Sequence, residues 1–184
     1  MRRVRYGVGM SLDGFIAGPA GELNFLVGDP AYDQRAFFAS IDTVVMGRRT
    51  YEAALRQGAR GFPGMRAFVF SRTLLQAEHG EVTVVADDAA EVVRRLRAEE
   101  GPKDIWLAGG GALLASLLPA GVVDTIEVGI SPVLLGQPGV PMLAPTPPLP
   151  RHVRLELIQS RAYQSGLLVA EYAVRLSTAG EPAA

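Results

Sequence analysis

Apolar and polar positions alternate at the start of the chain: Val4, Tyr6, Val8 and Met10 are separated by Arg5, Gly7 and Gly9. A period of two is the mark of a half-buried strand. Residues 11–28 then lose all periodicity and are rich in glycine, a long loop of the kind that often carries function. Asp29-Pro30 has the form of a helix N-cap followed by proline at the first helical position. A helix is therefore expected to about Ser40, with Tyr32, Ala36, Phe37 and Phe38 facing inward. Residues 43–46 read as a short buried strand ending at Gly47, with Thr50 placed to cap a helix running to about Arg56. Strands follow at 67–70 and 82–85. Asp88 and Glu91 have capping-box spacing, and Ala89, Val92, Val93 and Leu96 recur at helical intervals until Gly101-Pro102.

Residues 105–108 form the next strand and run straight into Gly109-Gly110-Gly111 and a leucine-rich helix before Pro119. Beyond this the pattern changes. Three strand-like stretches, 123–130, 153–159 and 167–174, follow with no helix between them. Strands alternating with helices, then strands alone, predict one α/β domain with a mixed sheet, parallel early and antiparallel at the end. Residues 137–150 are proline-rich and read as a rigid irregular loop. Residues 1–176 are expected to form a single domain, and 177–184, small and polar, a disordered tail.

Composition narrows the chemistry. The chain has 184 residues, 48% hydrophobic and 20% charged, enough apolar surface for a core. A net charge of −1 steers it toward neither nucleic acid nor acidic membrane. Cysteine is absent, which excludes disulfides, thiolate catalysis and cysteine-held metals. The only histidines, His79 and His152, lie in different segments, so a histidine metal site or a Ser-His-Asp triad is not expected. A chain so poor in reactive side chains is expected to borrow reactivity from a cofactor. The basic N-terminus leads into alternating residues and reads as neither signal peptide nor membrane helix, so a cytoplasmic location is expected.

Three strand ends suit an anionic ligand. The strand 105–108 delivers three glycines to a helix start, where backbone without Cβ atoms can approach a pyrophosphate. A plain flexible turn would have the same composition. The spacing is not that of a Rossmann motif, since Leu114 stands where its third glycine would be, and no P-loop motif occurs. Gly47-Arg48-Arg49-Thr50 repeats the pattern with two guanidinium groups, and Ser71-Arg72 closes another strand with a hydroxyl and a third. Three such ends on one sheet point to a ligand along its carboxyl edge.

These motifs, in this order, resemble the dihydrofolate-reductase-like superfamily, and most the branch of the C-terminal reductase domain of RibD, the riboflavin-biosynthesis protein. Met10-Ser11-Leu12-Asp13-Gly14-Phe15-Ile16-Ala17-Gly18 is similar to that branch's opening motif. Met46-Gly47-Arg48-Arg49-Thr50-Tyr51-Glu52, Ala108-Gly109-Gly110-Gly111 and Ser131-Pro132-Val133-Leu134-Leu135-Gly136 resemble its later ones. The resemblance implies a mixed eight-stranded sheet, mostly parallel and antiparallel at its C-terminal edge, flanked by about four helices. It implies NADPH as cofactor. Gly109, Gly110 and Gly111 would cradle the pyrophosphate, with a cis peptide between the first two. Gly47, Arg48, Arg49 and Thr50 would hold adenosine-side phosphates, Ser71 and Arg72 the 2′-phosphate, and Ile16, Ala17 and Gly18 would line the nicotinamide.

Catalytic candidates are fewer. Asp13 would lie beside nicotinamide and substrate, although Asp-Gly is also a common turn. Dihydrofolate reductases grip the pterin with an acid on the first helix; here Asp29 reads better as the cap and Asp33 is the candidate. Glu127 is a carboxylate in an otherwise apolar strand, which an edge position would let face water. The zinc deaminase half of bifunctional RibD has no counterpart here. The implied activity is an NADPH-dependent reduction of a small substrate, which the resemblance makes a phosphoribosylamino-pyrimidine. Dihydrofolate reduction and NADPH binding without catalysis are the alternatives. A homodimer is expected, because relatives pair and the late strands are apolar on both faces.

Overall fold

A computed structural model describes residues 1–59, 62–136, 138–145, 148–150 and 152–175. The expectation of a disordered tail at 177–184 lies outside the described residues. The central element is an eight-stranded sheet. Its strands are β1 (Val4–Ser11), β3 (Ile41–Gly47), β4 (Arg66–Phe70), β5 (Thr83–Val85), β6 (Asp104–Gly109), β7 (Thr125–Ser131), β9 (Arg154–Ala162) and β10 (Leu168–Arg175). The order is β5-β4-β3-β6-β1-β7-β10-β9. The first six run parallel to one another, while β10 is antiparallel to both β7 and β9. The helices are α1 (Gln34–Ala39), α2 (Arg48–Arg56), α3 (Ala89–Ala98) and α4 (Gly111–Leu117). Sheet, order of elements and antiparallel end are those expected from the alternation pattern.

Side-chain alternation assigns the two faces. In β1, Val4 and Tyr6 are fully buried against α3 and α4, with Leu96, Leu114 and Leu117. Burying each such side chain stabilises the fold by about 1.5–3 kcal/mol. On the other face, Val44 and Met46 of β3 pack with Tyr51 of α2 and Val69 of β4. Arg5, Gly7 and Gly9 of β1 also point to this second face, as do Trp106 of β6 and Glu127 and Gly129 of β7. That face is where a cavity forms.

Four expectations change. The first helix starts four residues late. Asp29 accepts from Ala31 N at 2.8 Å and from Ser165 N at 3.0 Å, which holds the chain in a turn, and Asp33 becomes the N-cap instead. Thr50 does not cap α2; Gly47 is its N-cap and offers no side-chain hydrogen bond. Glu127 is not on an edge, because β7 lies between β1 and β10. Finally, the two segments read as irregular contribute a ribbon, β2 (Phe15–Ala17) against β8 (Val140–Pro141). The cap expected at Asp88 is present, accepting from Glu91 N at 3.0 Å.

Candidate functional site

Parallel pairing brings the carboxyl ends of three strands together. Gly47 is in register with Phe70, the residue before Ser71, and Met46 with Gly109. At this edge Gly47, Thr50, Gly109 and Gly110 meet. A Cβ built on Gly109 or Gly110 would lie 3.4 Å from Thr50 Oγ1, and one on Gly47 would lie 3.9 Å from Gly110 N. Gly109 has φ +124°, a conformation L side chains rarely adopt, and the Gly109–Gly110 peptide is cis. The first-turn N–H groups of α2 receive no side-chain cap, so their partial positive charge remains available to an anion. Arg49 and Arg72 are exposed and form no ion pair among the described residues, whereas Arg48 bonds Glu52 at 2.8 Å. Ser71 Oγ accepts from Thr73 N at 3.1 Å and Leu74 N at 3.0 Å, which fixes the turn after β4. Bare backbone, an uncapped helix start, a hydroxyl and unpaired guanidinium groups fit a dinucleotide diphosphate.

The opening loop is tied to the same edge. Ala17 pairs with Val140 in the β2–β8 ribbon. The segment after β8 reaches the glycine turn, where Ala144 N donates to Gly111 O at 3.2 Å. Met142 N donates to Gly14 O at 3.0 Å, and the buried Tyr6 hydroxyl donates to Met142 O at 3.0 Å. Ile16 and Ala17 thereby lie on a ribbon docked against the triple-glycine turn, and Gly18 follows it, donating its N–H to Glu22 O at 2.9 Å. Asp13 secures the loop from its other side, accepting from Leu135 N at 3.1 Å and Gly136 N at 3.0 Å. The Ser11 hydroxyl and then these N–H groups lower its pKa to about 2.

Between α1 and the sheet lies a cavity of about 320 Å³. Gly7, Gly9 and Gly129 leave its floor without side chains, and Phe37, Phe38 and Trp106 form an aromatic wall. Trp106 meets Phe37 edge-on at 6.0 Å and Phe38 at 5.3 Å, and its Nε1 donates to Gly7 O at 3.0 Å. Glu127 reaches the cavity from β7, with the Tyr32 hydroxyl donating to its Oε1 at 2.9 Å. Burial and then Glu127 push the Tyr32 phenol above its ordinary range, so it stays protonated. Asp29 also lines the cavity, its pKa lowered by Ser165 N–H and then Ala31 N–H.

Comparison with known proteins decides the family. The model of the RibD C-terminal domain matches residues 2–169. The chain belongs to the RibD C-terminal domain family. Two uncharacterized proteins of Bacillus subtilis (strain 168) are similar. YyaP is 28% identical, with 93% of this chain and 94% of YyaP covered. YwjB is 30% identical, with 73% and 79% covered. Among solved structures, a candidate riboflavin biosynthesis protein of Shewanella sp. PV-4 aligns with TM-score 0.77 at 25% identity, over 96% of this chain and all of that one. A pyrimidine reductase-like protein of Corynebacterium diphtheriae shares the fold, with TM-score 0.63 at 17% identity over 96% of this chain and 93% of that one.

Of the residues that the resemblance assigns to the cofactor, Gly47, Thr50, Gly109 and Gly110 lie together at this edge of the RibD C-terminal domain, and Ile16 and Ala17 lie on β2, whose partner β8 packs on Gly111. The catalytic candidates fare differently. Asp33 is exposed, accepts from Arg35 N and Ala36 N, and does not line the cavity; its carboxylate is committed to the helix. Asp13 is an ionised clamp on the 135–136 turn, which suits it to positioning and not to giving up a proton. The sequence pattern does not mark Trp106 and Tyr32 as cavity residues, and Glu127, for which an edge position was one expectation, faces the cavity from an interior strand. The available signal is the pair Gly7 and Gly9, whose missing side chains let Phe37 and Leu26 pack close to the sheet. No described helix is long and apolar enough to cross a membrane, and no described cluster of acidic residues and histidines could hold a metal ion.

Proposed function

We propose that the protein is an NADPH-dependent reductase of a small substrate carrying a C=N or C=O group. The observation that carries this reading is the bare turn at Gly109 and Gly110, faced by Gly47 and Thr50; the strand that ends in this turn also supplies Trp106 to a cavity large enough for one ring system. Gly109, Gly110, Gly111, Gly47 and Thr50 hold the diphosphate. Arg48 and Arg49 bind adenosine-side phosphates, and Ser71 and Arg72 take the 2′-phosphate. Ile16, Ala17 and Gly18 cover the nicotinamide. When bound, NADPH supplies the hydride. The chain's own residues supply orientation: Asp13 fixes the opening loop, the β2–β8 ribbon excludes water, and the aromatic wall seats the acceptor ring. A phosphoribosylamino-pyrimidine is the substrate favoured by family membership. A deaminase/reductase of Thermotoga maritima, whose reductase acts on 5-amino-6-(5-phosphoribosylamino)uracil, shares the fold with TM-score 0.68 at 13% identity. The protein works in the cytoplasm as a homodimer, with Leu155, Leu157 and Ile158, exposed on edge strand β9, covered by a second copy.

Turnover tests the reading. Loss of reduced-nicotinamide absorbance is followed with 5-amino-6-(5-phosphoribosylamino)uracil and, separately, dihydrofolate. Oxidation of NADPH with the first substrate, abolished by Gly110→Val, is expected. Faster oxidation with dihydrofolate would move the substrate assignment, and oxidation with neither would refute reduction of both. Light scattering that gives a monomer would contradict the dimer.

A further inference from the structure

Glu127 is the feature of the cavity that the reductase reading leaves without a task. It is a carboxylate on an interior strand, with a side chain 15% exposed, lining a cavity whose other carboxylate, Asp29, is already held by the N–H groups of Ser165 and Ala31. Charge in such a place is costly unless something matches it. Its internal partners match it only in part. The Tyr32 hydroxyl occupies one lone pair of Oε1 at 2.9 Å. Arg5 approaches Oε2 at 3.6 Å, beyond normal hydrogen-bond length. That guanidinium is also shared with Asp104 at 3.8 Å and Glu171 at 4.0 Å, and lies over the Phe37 ring at 4.7 Å. An ionised carboxylate offers about four acceptor sites, so Glu127 retains room for two coplanar N–H donors.

The surroundings say what shape of donor fits. Gly7 and Gly9 let side chains pack directly on the sheet: a Cβ on Gly7 would lie 3.0 Å from the Phe37 ring, and one on Gly9 3.0 Å from Leu26. The Trp106, Phe37 and Phe38 rings supply apolar surface of the kind that packs against another ring. We propose that the cavity receives a planar ring presenting a paired N–H edge, with Glu127 as the carboxylate that recognises that edge and Tyr32 as the residue that positions Glu127. A paired, charge-assisted contact of this kind is directional and discriminates strongly against acceptor-bearing rings. This assignment deepens the reductase reading, in which the ring belongs to the substrate.

Trp106 is the sole tryptophan and stands in the cavity wall, so its fluorescence reports occupancy. The probes are benzamidine, whose edge donates, and benzoate, an equally flat ring whose edge accepts. Titrated into the intact protein, benzamidine is expected to bind at least about tenfold more tightly than benzoate, as a charge-assisted pair implies. Glu127→Gln is expected to remove that preference and Tyr32→Phe to reduce it severalfold, with NADPH affinity unchanged in both. A purely structural Tyr32 would alter melting and leave the preference intact, which overturns its positioning role. Benzoate binding as tightly as benzamidine, or an unchanged preference in Glu127→Gln, overturns the proposal. Should Glu127→Gln fail to fold, an unchanged preference in Tyr32→Phe overturns the linked assignment of both residues. Failure of NADPH to bind while the benzamidine preference persists refutes the reductase reading alone; NADPH binding without the preference refutes the Glu127 assignment alone.

Discussion

Two glycines at the carboxyl edge should respond to the same substitution in opposite ways. At Gly111 an added Cβ would lie 2.5 Å from Pro141 O, 2.8 Å from Ala144 N and 3.0 Å from Met142 O. All three are backbone atoms of the segment that docks on the turn, so no side chain can rotate away. Relief requires that segment to retreat by several tenths of an ångström, at the cost of the Ala144 N to Gly111 O bond and the seating of β8. Overpacking of this kind costs about 1–3 kcal/mol, and rigid backbone on every side argues for the upper half, about 2–3 kcal/mol. For a chain of this length that lowers the melting temperature by roughly 5–10 °C. At Gly47 the added Cβ meets only Gly110 N, at 3.9 Å, an ordinary contact, and φ is −81°. Alanine for glycine at an N-cap costs less than about 1 kcal/mol, so melting barely moves. The methyl group would instead occupy the face assigned to the diphosphate and weaken NADPH binding by about tenfold or more. Thermal melts of Gly111→Ala and Gly47→Ala, with and without NADPH, separate these effects. A Gly111→Ala protein melting with the wild type, or a Gly47→Ala protein binding NADPH normally, would refute the reasoning.

Other perturbations follow from single contacts. Arg2 has a side chain 2% exposed, donates to Lys103 O at 2.8 Å and Thr43 Oγ1 at 2.9 Å, and pairs with Asp42 and Glu99. Arg2→Met should cost about 2–3 kcal/mol in urea unfolding, below the full loss for a buried pair because both acids can rehydrate; a cost under 0.5 kcal/mol, the usual range for surface changes, would contradict this. Tyr6→Phe leaves the Met142 carbonyl without its hydroxyl donor and should lower stability by about 1 kcal/mol, with no shift in urea midpoint counting against it. Asp13 has its pKa lowered from 3.8 to about 2, so its ionised form adds stability above the unfolded value that is lost as pH falls through the folded one. Asp13→Asn should therefore flatten the decline in stability between pH 4 and pH 2, measured by urea midpoints; a decline as steep as in the wild type would show that the carboxylate does not contribute.

Local periodicity carries local structure well and tertiary position poorly, and this chain shows both. The alternation Val4, Tyr6 against Arg5, Gly7 fixes the strand and its two faces without any partner being known. The glycines at 109–111 mark the turn, Gly109 because its φ is +124° and Gly111 because the backbone of 141–144 packs against it. The start of α1 was not legible, since Asp29 is held by Ser165 N, a partner far along the chain, while Asp33 caps with no stronger local signal. Pairing of β2 with β8 joins two stretches lacking alternation, and nothing in either predicts the other. An edge position for Glu127 stays open in the sequence because strand composition does not reveal strand order; the placement of β7 between β1 and β10 closes it. Asp13 was legible as a residue of the opening motif but not as the clamp on Leu135 and Gly136.

Calorimetric titration of the purified protein with NADPH, and in parallel with NADH, tests the cofactor site most directly. The two differ only in the phosphate assigned to Ser71 and Arg72. The account predicts tight NADPH binding, NADH binding weaker by about tenfold or more, and loss of that difference in Arg72→Ala. Binding of neither dinucleotide, or equal affinity for both, would contradict it.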